Sequence, residues 1–282
     1  MLYIQTAVVN NPKFIEMQQM TLNKFVKDDY KFIVYNDAKY WPDFSNHNDD
    51  TIKKEISRTC ERLNIECINI PNEHHKQKTS AGDRCADACN FILKDQIKNN
   101  QKTMMLDSDM FIINDINICK KYEDYDMAVV KQVREQVIRT RDNKKIDADY
   151  YWNGLVYFDM PKVQNKHLLN WNGLGGTCGA TDVGGEMFYH IHQTPKTKVY
   201  SIPHLMTGYW NKEHFPNNLN PLLMNYLDND PKNDANGNYF AEVYDDYIFH
   251  YRAGGNWEGL AKEVHEMRTN LLWDTLVSIV KE

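Results

Sequence analysis

Long hydrophobic runs are missing from this chain of 282 residues. None approaches the roughly 20 apolar residues needed to span a bilayer, so no transmembrane segment is expected. The opening stretch, Met1 to Asn10, has neither a basic flank nor a small-residue cleavage pattern, and reads as a first strand and not a signal peptide. An excess of positive charge is missing too. The chain has 33 Lys and Arg against 39 Asp and Glu, a formal net charge of −6. That leaves no electrostatic footprint for nucleic acid, and no Lys/Arg-rich helix points to a membrane surface. The six cysteines show no CxxC pair and no zinc spacing. Reduced, packed thiols in a cytoplasmic protein are the expectation. Residues 171–185 are rich in glycine, yet they contain no GxGxxG opening a helix and no Gly-Lys-Ser/Thr, which excludes a dinucleotide fingerprint and a phosphate loop. Repeats, linkers and low-complexity segments are absent, so 1–282 is read as a single domain.

What is present begins with strand, helix and strand in about 35 residues. Leu2 to Val9 reads as a buried strand, Pro12 starts a helix to about Val26 with Phe14, Met17, Leu22 and Phe25 as its apolar stripe, and Tyr30 to Tyr35 is a second strand ending at Asn36-Asp37. Such a unit predicts parallel strands and a right-handed crossover. Thr51 to Leu63 follows as a helix and Ile65 to Ile70 as a third strand. His74 and His75, being adjacent, cannot both face one metal easily and read as solvated. Ser80, with Asp83 three residues on, marks the start of another helix. Ala81, Cys85, Ala88 and Ile92 form its small-residue face, with Asp83, Arg84 and Asp87 off it.

Met104-Met-Leu106 is an apolar run too short for a helix, the pattern of a strand buried on both faces in a parallel sheet. Asp107-Ser108-Asp109 stands at its carboxyl end, where open α/β sheets bind ligands. Two carboxylates one residue apart offer hard oxygen ligands suited to Mg²⁺ or Mn²⁺; a polar turn between strands is the plainer alternative. Further on, Asp126 to Val133 reads as a strand, Arg134 to Tyr150 as a mobile loop or lid, and Tyr151 to Phe158 as a strand again. Gly154 there permits a ligand to approach the backbone closely or marks a bulge. Asp182 and Glu186 are four apart, and on a helix starting near Thr181 they would share a face with His190. Pro203 to Tyr239 reads as an Asn/Pro-rich loop, with Tyr209-Trp210 as a sugar-stacking pair or a satellite core, and Leu260 to Val280 as a closing helix.

The segment Met104-Met-Leu-Asp-Ser-Asp-Met-Phe111 resembles the Asp-x-Asp segment of nucleotide-sugar-dependent glycosyltransferases of the GT-A fold. Phe249-His-Tyr-Arg-Ala-Gly-Gly-Asn-Trp257 resembles a carboxyl-terminal signature of viral and bacterial members. Asn153-Gly-Leu-Val-Tyr-Phe158 resembles the segment lining their acceptor–donor junction. The resemblance implies an α/β fold with a mixed, mostly parallel sheet flanked by helices. It also implies a nucleotide-binding half at 1–115 and an acceptor half at 116–282. Its implied metal ligands are Asp107, Asp109 and His250, holding Mn²⁺ or Mg²⁺. Implied donor contacts are Thr6, Val8 and Asp37 at the base and ribose, Arg84, Ser108, Asn153 and Gly154 nearer the sugar, and Arg252, Gly254, Gly255, Asn256 and Trp257 around the diphosphate. Asp87, Asp182 and Glu186 are the candidate catalytic carboxylates, with Asp182 or Glu186 as base if the reaction inverts.

The expected activity is transfer of a sugar from a nucleoside diphosphate, UDP being commonest in the family, to a hydroxyl of a glycan, glycoprotein or small-molecule acceptor. Two alternatives are a sugar-phosphate nucleotidyltransferase, which wants a Gly/Arg/Lys loop after the first strand where Asn10-Asn-Pro-Lys13 stands, and a non-catalytic carbohydrate- or nucleotide-binding protein. The signature and the Asn/Lys/Asp-rich composition point to a large DNA virus or phage, which would place the protein in host cytoplasm or the virion.

Overall fold

A computed structural model of the chain describes residues 1–38, 50–71, 80–139, 142–255 and 261–282. The strands in chain order are β1 (Leu2–Val8), β2 (Tyr30–Asn36), β3 (Glu66–Asn69), β4 (Lys102–Asp107), β5 (Met110–Ile112), β6 (Met127–Arg139), β7 (Lys144–Asp159), β8 (Val199–Ser201), β9 (His204–Leu205), β10 (Glu242–Tyr244) and β11 (Ile248–His250). The longer helices are α1 (Lys13–Phe25), α2 (Thr51–Leu63), α3 (Ala81–Asn99), α4 (Met187–Gln193), α5 (Leu223–Asn229) and α6 (Lys262–Lys281). No helix among the described residues is long and apolar enough to cross a membrane. The backbone clusters into two compact units. One comprises residues 1–10, 29–107 and 119–202, the other 11–28, 108–118 and 203–282.

The first unit is built on a seven-stranded sheet of order β3-β2-β1-β4-β7-β6-β8. The β1–β2, β1–β4, β2–β3 and β6–β8 pairs are parallel; β4–β7 and β6–β7 are antiparallel. This is the mixed, mostly parallel sheet with flanking helices that the resemblance implies. Its central strands are covered on both faces: Leu2, Ile4, Met104, Met105 and Leu106 are all buried. The side chain of Ser80 accepts from the Asp83 N–H at 3.3 Å, capping α3 as its spelling predicts. α3 also meets the sheet through a buried amide ladder, Gln96 Nε2 donating to Gln5 Oε1 and Gln5 Nε2 to the Tyr35 hydroxyl, each at 2.9 Å. Arg84, expected off the helix's packed face, is buried.

Residues 134–150 are not a loop. Their described part continues β6 and β7 as a two-stranded ribbon paired from Lys131–Tyr151 to Arg139–Lys144. Much of the ribbon is solvated: Val133, Arg134, Glu135 and Gln136 are exposed, so it never needs the apolar alternation that would have announced a strand.

The second unit carries a four-stranded sheet, β5-β11-β10-β9, antiparallel throughout. Phe14 of α1 packs edge-on against Phe111 of β5 and against Tyr251, with ring centroids 5.8 and 5.4 Å apart. The stretch expected as loop between Pro203 and Tyr239 contains β9 and α5, whose short stripe Leu223, Tyr226 and Leu227 is fully buried. A buried ion pair ties α6 to the end of α5. Arg268 donates from Nε to Asp230 Oδ1 at 2.8 Å and from Nη2 to Oδ2 at 2.9 Å, and a further Nη2 contact reaches the Tyr251 carbonyl at 3.2 Å.

Candidate metal centre and its surroundings

His250 ends β11, and the antiparallel register sets it opposite Glu242 of β10 on one side and Met110 of β5 on the other. The β10–β11 turn is made by Asp245 and Asp246, at φ +53° and +64°, a left-handed conformation that Asp tolerates better than most residues. Asp109 immediately precedes β5, and its carbonyl accepts from the Tyr251 N–H at 3.0 Å, which brings its side chain beside the imidazole. His250 Nε2 lies 3.3 Å from Asp109 Oδ1, and Nδ1 lies 2.9 Å from Glu242 Oε2. The Tyr244 hydroxyl donates to that same Glu242 oxygen at 2.6 Å. All three members of the relay are shielded, with 8% of each of the His250 and Asp109 side chains and 14% of Glu242 exposed.

Burial alone would drive the imidazole to its neutral form, but Asp109 and Glu242 outweigh it and hold the pKa up at about 10. Burial likewise pushes Glu242 upward, yet the bond to His250 and the charge on the ring bring it down to about 2. Asp109 is also held below the ordinary carboxylate range against its burial, by His250 and by the Gly254 N–H, which donates to Oδ2 at 2.9 Å. That amide arrives through a tight turn in which Arg252 and Ala253 both have positive φ, +63° and +59°. A Cβ on Gly254 would stand 2.7 Å from Asp109 Cβ and 2.5 Å from the Phe14 ring, so the approach requires glycine.

In the sheet unit, Asp107 is half-buried at the carboxyl end of β4, as the apolar run predicts. The β4–β7 register, Leu106 opposite Leu155, puts Gly154 across from Asp107. A Cβ on Gly154 would lie 2.7 Å from Asp107 Oδ2 and 2.2 Å from the Trp152 ring. Asn153, beside it, is buried with Nδ2 at 3.4 Å from Cys85 Sγ and 3.6 Å from Cys89 Sγ, so in this structure its amide is spent on two thiols of α3. Ser108 is half-buried in the turn that joins Asp107 to Asp109.

Val8 and Asp37 close the ends of β1 and β2, the Asp37 N–H donating to the Val8 carbonyl at 3.0 Å, while Thr6 is buried within β1. Asp87 is half-buried on the wall of a cleft of about 590 Å³, together with Asn90, Asn170 and Asn172. Asp182 and Glu186 do not share a helix face. α4 starts only at Met187, because Gly184, at φ +93°, turns the chain and donates its N–H back to the Trp171 carbonyl. Asp182 is exposed in that turn; Glu186 is half-buried at the helix start, its carboxyl raised by burial and partly restored by the Asn170 amide. Trp210 is a core residue, buried and donating to the Ala241 carbonyl at 2.8 Å, and Tyr209 alone of that pair is exposed, at 79%. Arg252 stands 4.8 Å over the Phe240 ring and 3.9 Å from Glu242, and Gly255 follows half-buried. Asn256, Trp257 and the adjacent histidines 74 and 75 lie outside the described residues.

Sequence reasoning missed Glu242, whose role depends on a partner eight residues away across a hairpin. The signal was the Tyr-Asp-Asp-Tyr turn at 244–247, which sets that register.

No protein-family model matches the chain, and no curated protein matches its sequence. Among solved structures, it is similar to the galactosyltransferase LgtC in complex with donor and acceptor sugar analogs. The identity there is 10%, the coverage 71% of this chain and 72% of that one, and the TM-score 0.39. It is also similar to mouse xyloside xylosyltransferase 1 in its apo form, at 12% identity, 75% and 87% coverage and a TM-score of 0.38. Overlap at that level carries no inference about the chemistry of this chain.

Proposed function

We propose that the chain is a metal-dependent glycosyltransferase that moves a sugar from a nucleoside diphosphate, UDP by expectation, to a hydroxyl of a glycan or other acceptor. The observation that carries this reading is the buried Asp109–His250–Glu242 relay, with a second carboxylate, Asp107, separated from Asp109 by one residue of chain. A histidine bound at Nδ1 by a carboxylate is oriented so that Nε2, on giving up its proton, faces a cation, the usual outer support of a metal ligand. Asp107, Asp109 and His250 can each offer one ligand atom. Two carboxylates and one imidazole fit Mn²⁺ better than Mg²⁺, which prefers oxygens alone.

In this reading Asp107, Asp109 and His250 hold the cation. When bound it supplies positive charge to the diphosphate oxygens of the leaving group. The Gly254 N–H keeps one Asp109 oxygen occupied, so the carboxylate meets the cation in one orientation. Arg252, with Gly255, Asn256 and Trp257 beyond it, would clasp the diphosphate, and Thr6, Val8 and Asp37 would receive the nucleoside. Arg84, Ser108 and Gly154 would face the donor sugar. Asn153 joins them only by exchanging its thiol contacts. Of the carboxylates, Glu186 is the better base: burial raises its pKa toward working pH, where a general base is most effective. Asp87 and the exposed Asp182 stand behind it. A viral source and a place in host cytoplasm belong to the same reading.

The test is a thermal-shift titration with UDP, GDP and CDP, each with and without Mn²⁺, on the native chain and on Asp109→Ala. A ligand that binds the native state raises the melting temperature by mass action. One nucleotide giving a large, Mn²⁺-dependent rise that Asp109→Ala abolishes is the expected result. If no nucleotide shifts the native chain, the donor-site assignment fails.

A further inference from the structure

The sheet unit carries a small cavity of about 270 Å³ between the β6–β7 ribbon and α4, with Lys131, Asp149, Tyr150, Tyr151, His190 and Thr197 on its wall. Its floor is a histidine used by nothing else described above. His190 is fully buried, and its Nε2 lies 3.0 Å from the Gln164 carbonyl oxygen. A carbonyl only accepts, so Nε2 carries the hydrogen. Nδ1, on the opposite edge of the ring, is buried with no hydrogen-bond partner, as is the hydroxyl of Thr197. Burial lowers the His190 pKa, which keeps the ring neutral and leaves Nδ1 as a bare acceptor. Buried polar atoms are nearly always satisfied, so unpaired atoms gathered on one cavity wall ask for a ligand that can satisfy them.

The chemistry of the wall selects that ligand. Nδ1 needs a donor, which a fully deprotonated anion such as sulfate does not provide. Lys131 needs an acceptor and repels a cation, while Asp149, already 2.8 Å from His192 Nε2, repels an anion. A hydroxyl donates and accepts, and several on one ring can answer Nδ1, Thr197, Lys131 and Asp149 together. Ligand pockets for larger molecules run from about 300 Å³ upward, so this one suits a single ring.

We propose that this cavity binds one uncharged polyhydroxy ring, a monosaccharide or the terminal residue of a glycan. The ligand class follows from the cavity alone. Its role, anchoring part of the acceptor along the strand that also carries Gly154, rests on the transferase reading.

The experiment is saturation-transfer NMR with calorimetric titration of the native chain against methyl glycosides of glucose, galactose, mannose and xylose, with inorganic phosphate as the anionic comparison. At least one glycoside should bind saturably. Thr197→Val, a change of similar shape at the partly exposed rim, should weaken it about fivefold, as loss of one hydrogen bond predicts, without moving the melting temperature. His190→Gln should weaken it as well, and Asp109→Ala should leave it unchanged. The proposal is overturned if no glycoside gives a saturable signal, if phosphate binds in preference, or if both cavity variants bind as the native chain does. Glycoside binding without any nucleotide-induced thermal shift would sustain the cavity while removing the transferase reading.

Discussion

Glu242 never touches Asp109, yet it decides what His250 can do. With Nδ1 held at 2.9 Å by a carboxylate, the ring has one tautomer and one orientation in which to meet a cation. Glu242→Gln is therefore expected to lower Mn²⁺ affinity by roughly 10- to 100-fold with the fold intact, the usual cost of losing such an outer partner; calorimetric titration of Mn²⁺ measures it, and an unchanged affinity would refute the relay. Gly154→Ala should strike the other carboxylate. The added methyl has no room beside Asp107 Oδ2 and the Trp152 ring, and overpacking of that kind costs about 1–3 kcal/mol, readable as a lower urea midpoint. A third expectation concerns the thiols. Cys67 is half-exposed, and the hydrogen bond from Cys60, followed by those from Ser57 and Asn36, holds its pKa below the free-thiol value against some burial, while Cys60 itself is pushed up. Because the thiolate is the nucleophile, Cys67 should remain reactive as pH falls below the range where an ordinary thiol has become inert. Mass-mapped alkylation across pH 6–9 checks this, and Cys60 reacting first would contradict it. At this scale an apolar strand singles out Asp107 and Asp109 and an aromatic strand singles out His250, while their joint role as ligands comes from the resemblance and belongs to the proposal. The sequence hid Glu242 and the Asn153–thiol contacts, which depend on side chains that meet only after folding.

Elements with a dry face were the legible ones. The Thr51–Leu63 helix has the bounds its apolar stripe predicts, and the Ser80 cap and the buried run of β4 fall where propensity and pattern agree. The wet β6–β7 ribbon and the seven-residue α5 were not legible, since neither offers enough periodicity to stand out from loop. Asp182 and Glu186 had helical spacing but a glycine turn between them, and the turn won. The closing helix was expected, though not its strongest tie: arginine is seldom fully buried, yet the Arg268 side chain is buried against Asp230. Removing one partner of such a pair strands the other charge without water. Asp230→Ala should accordingly cost about 3–5 kcal/mol in chemical denaturation. Replacing both partners by apolar residues should cost much less, because no charge is then left unpaired. Equal losses in the two cases would show that packing, and not charge, holds α6.

For the molecule as a whole, net charge bears on the order of binding. A chain of formal charge −6 gains nothing from long-range attraction to an anionic nucleotide, and the cation would have to supply it. At a nucleotide concentration of 100 Kd the linkage amounts to about 2.7 kcal/mol, a rise of several degrees in melting temperature for a chain of this size, expected with Mn²⁺ and absent with a chelator. The two compact units are also not two consecutive pieces of chain. Six segments alternate between them, and the boundary at 107/108 falls inside Asp-Ser-Asp. Two carboxylates read as one motif thus belong to different bodies of the fold. No single cut in the gene separates the two bodies, since each is assembled from three segments interleaved with those of the other. A truncation at the N-terminus therefore takes β1 out of the interior of the seven-stranded sheet, while one at the C-terminus takes the last of the three segments of the second unit and leaves the other two behind.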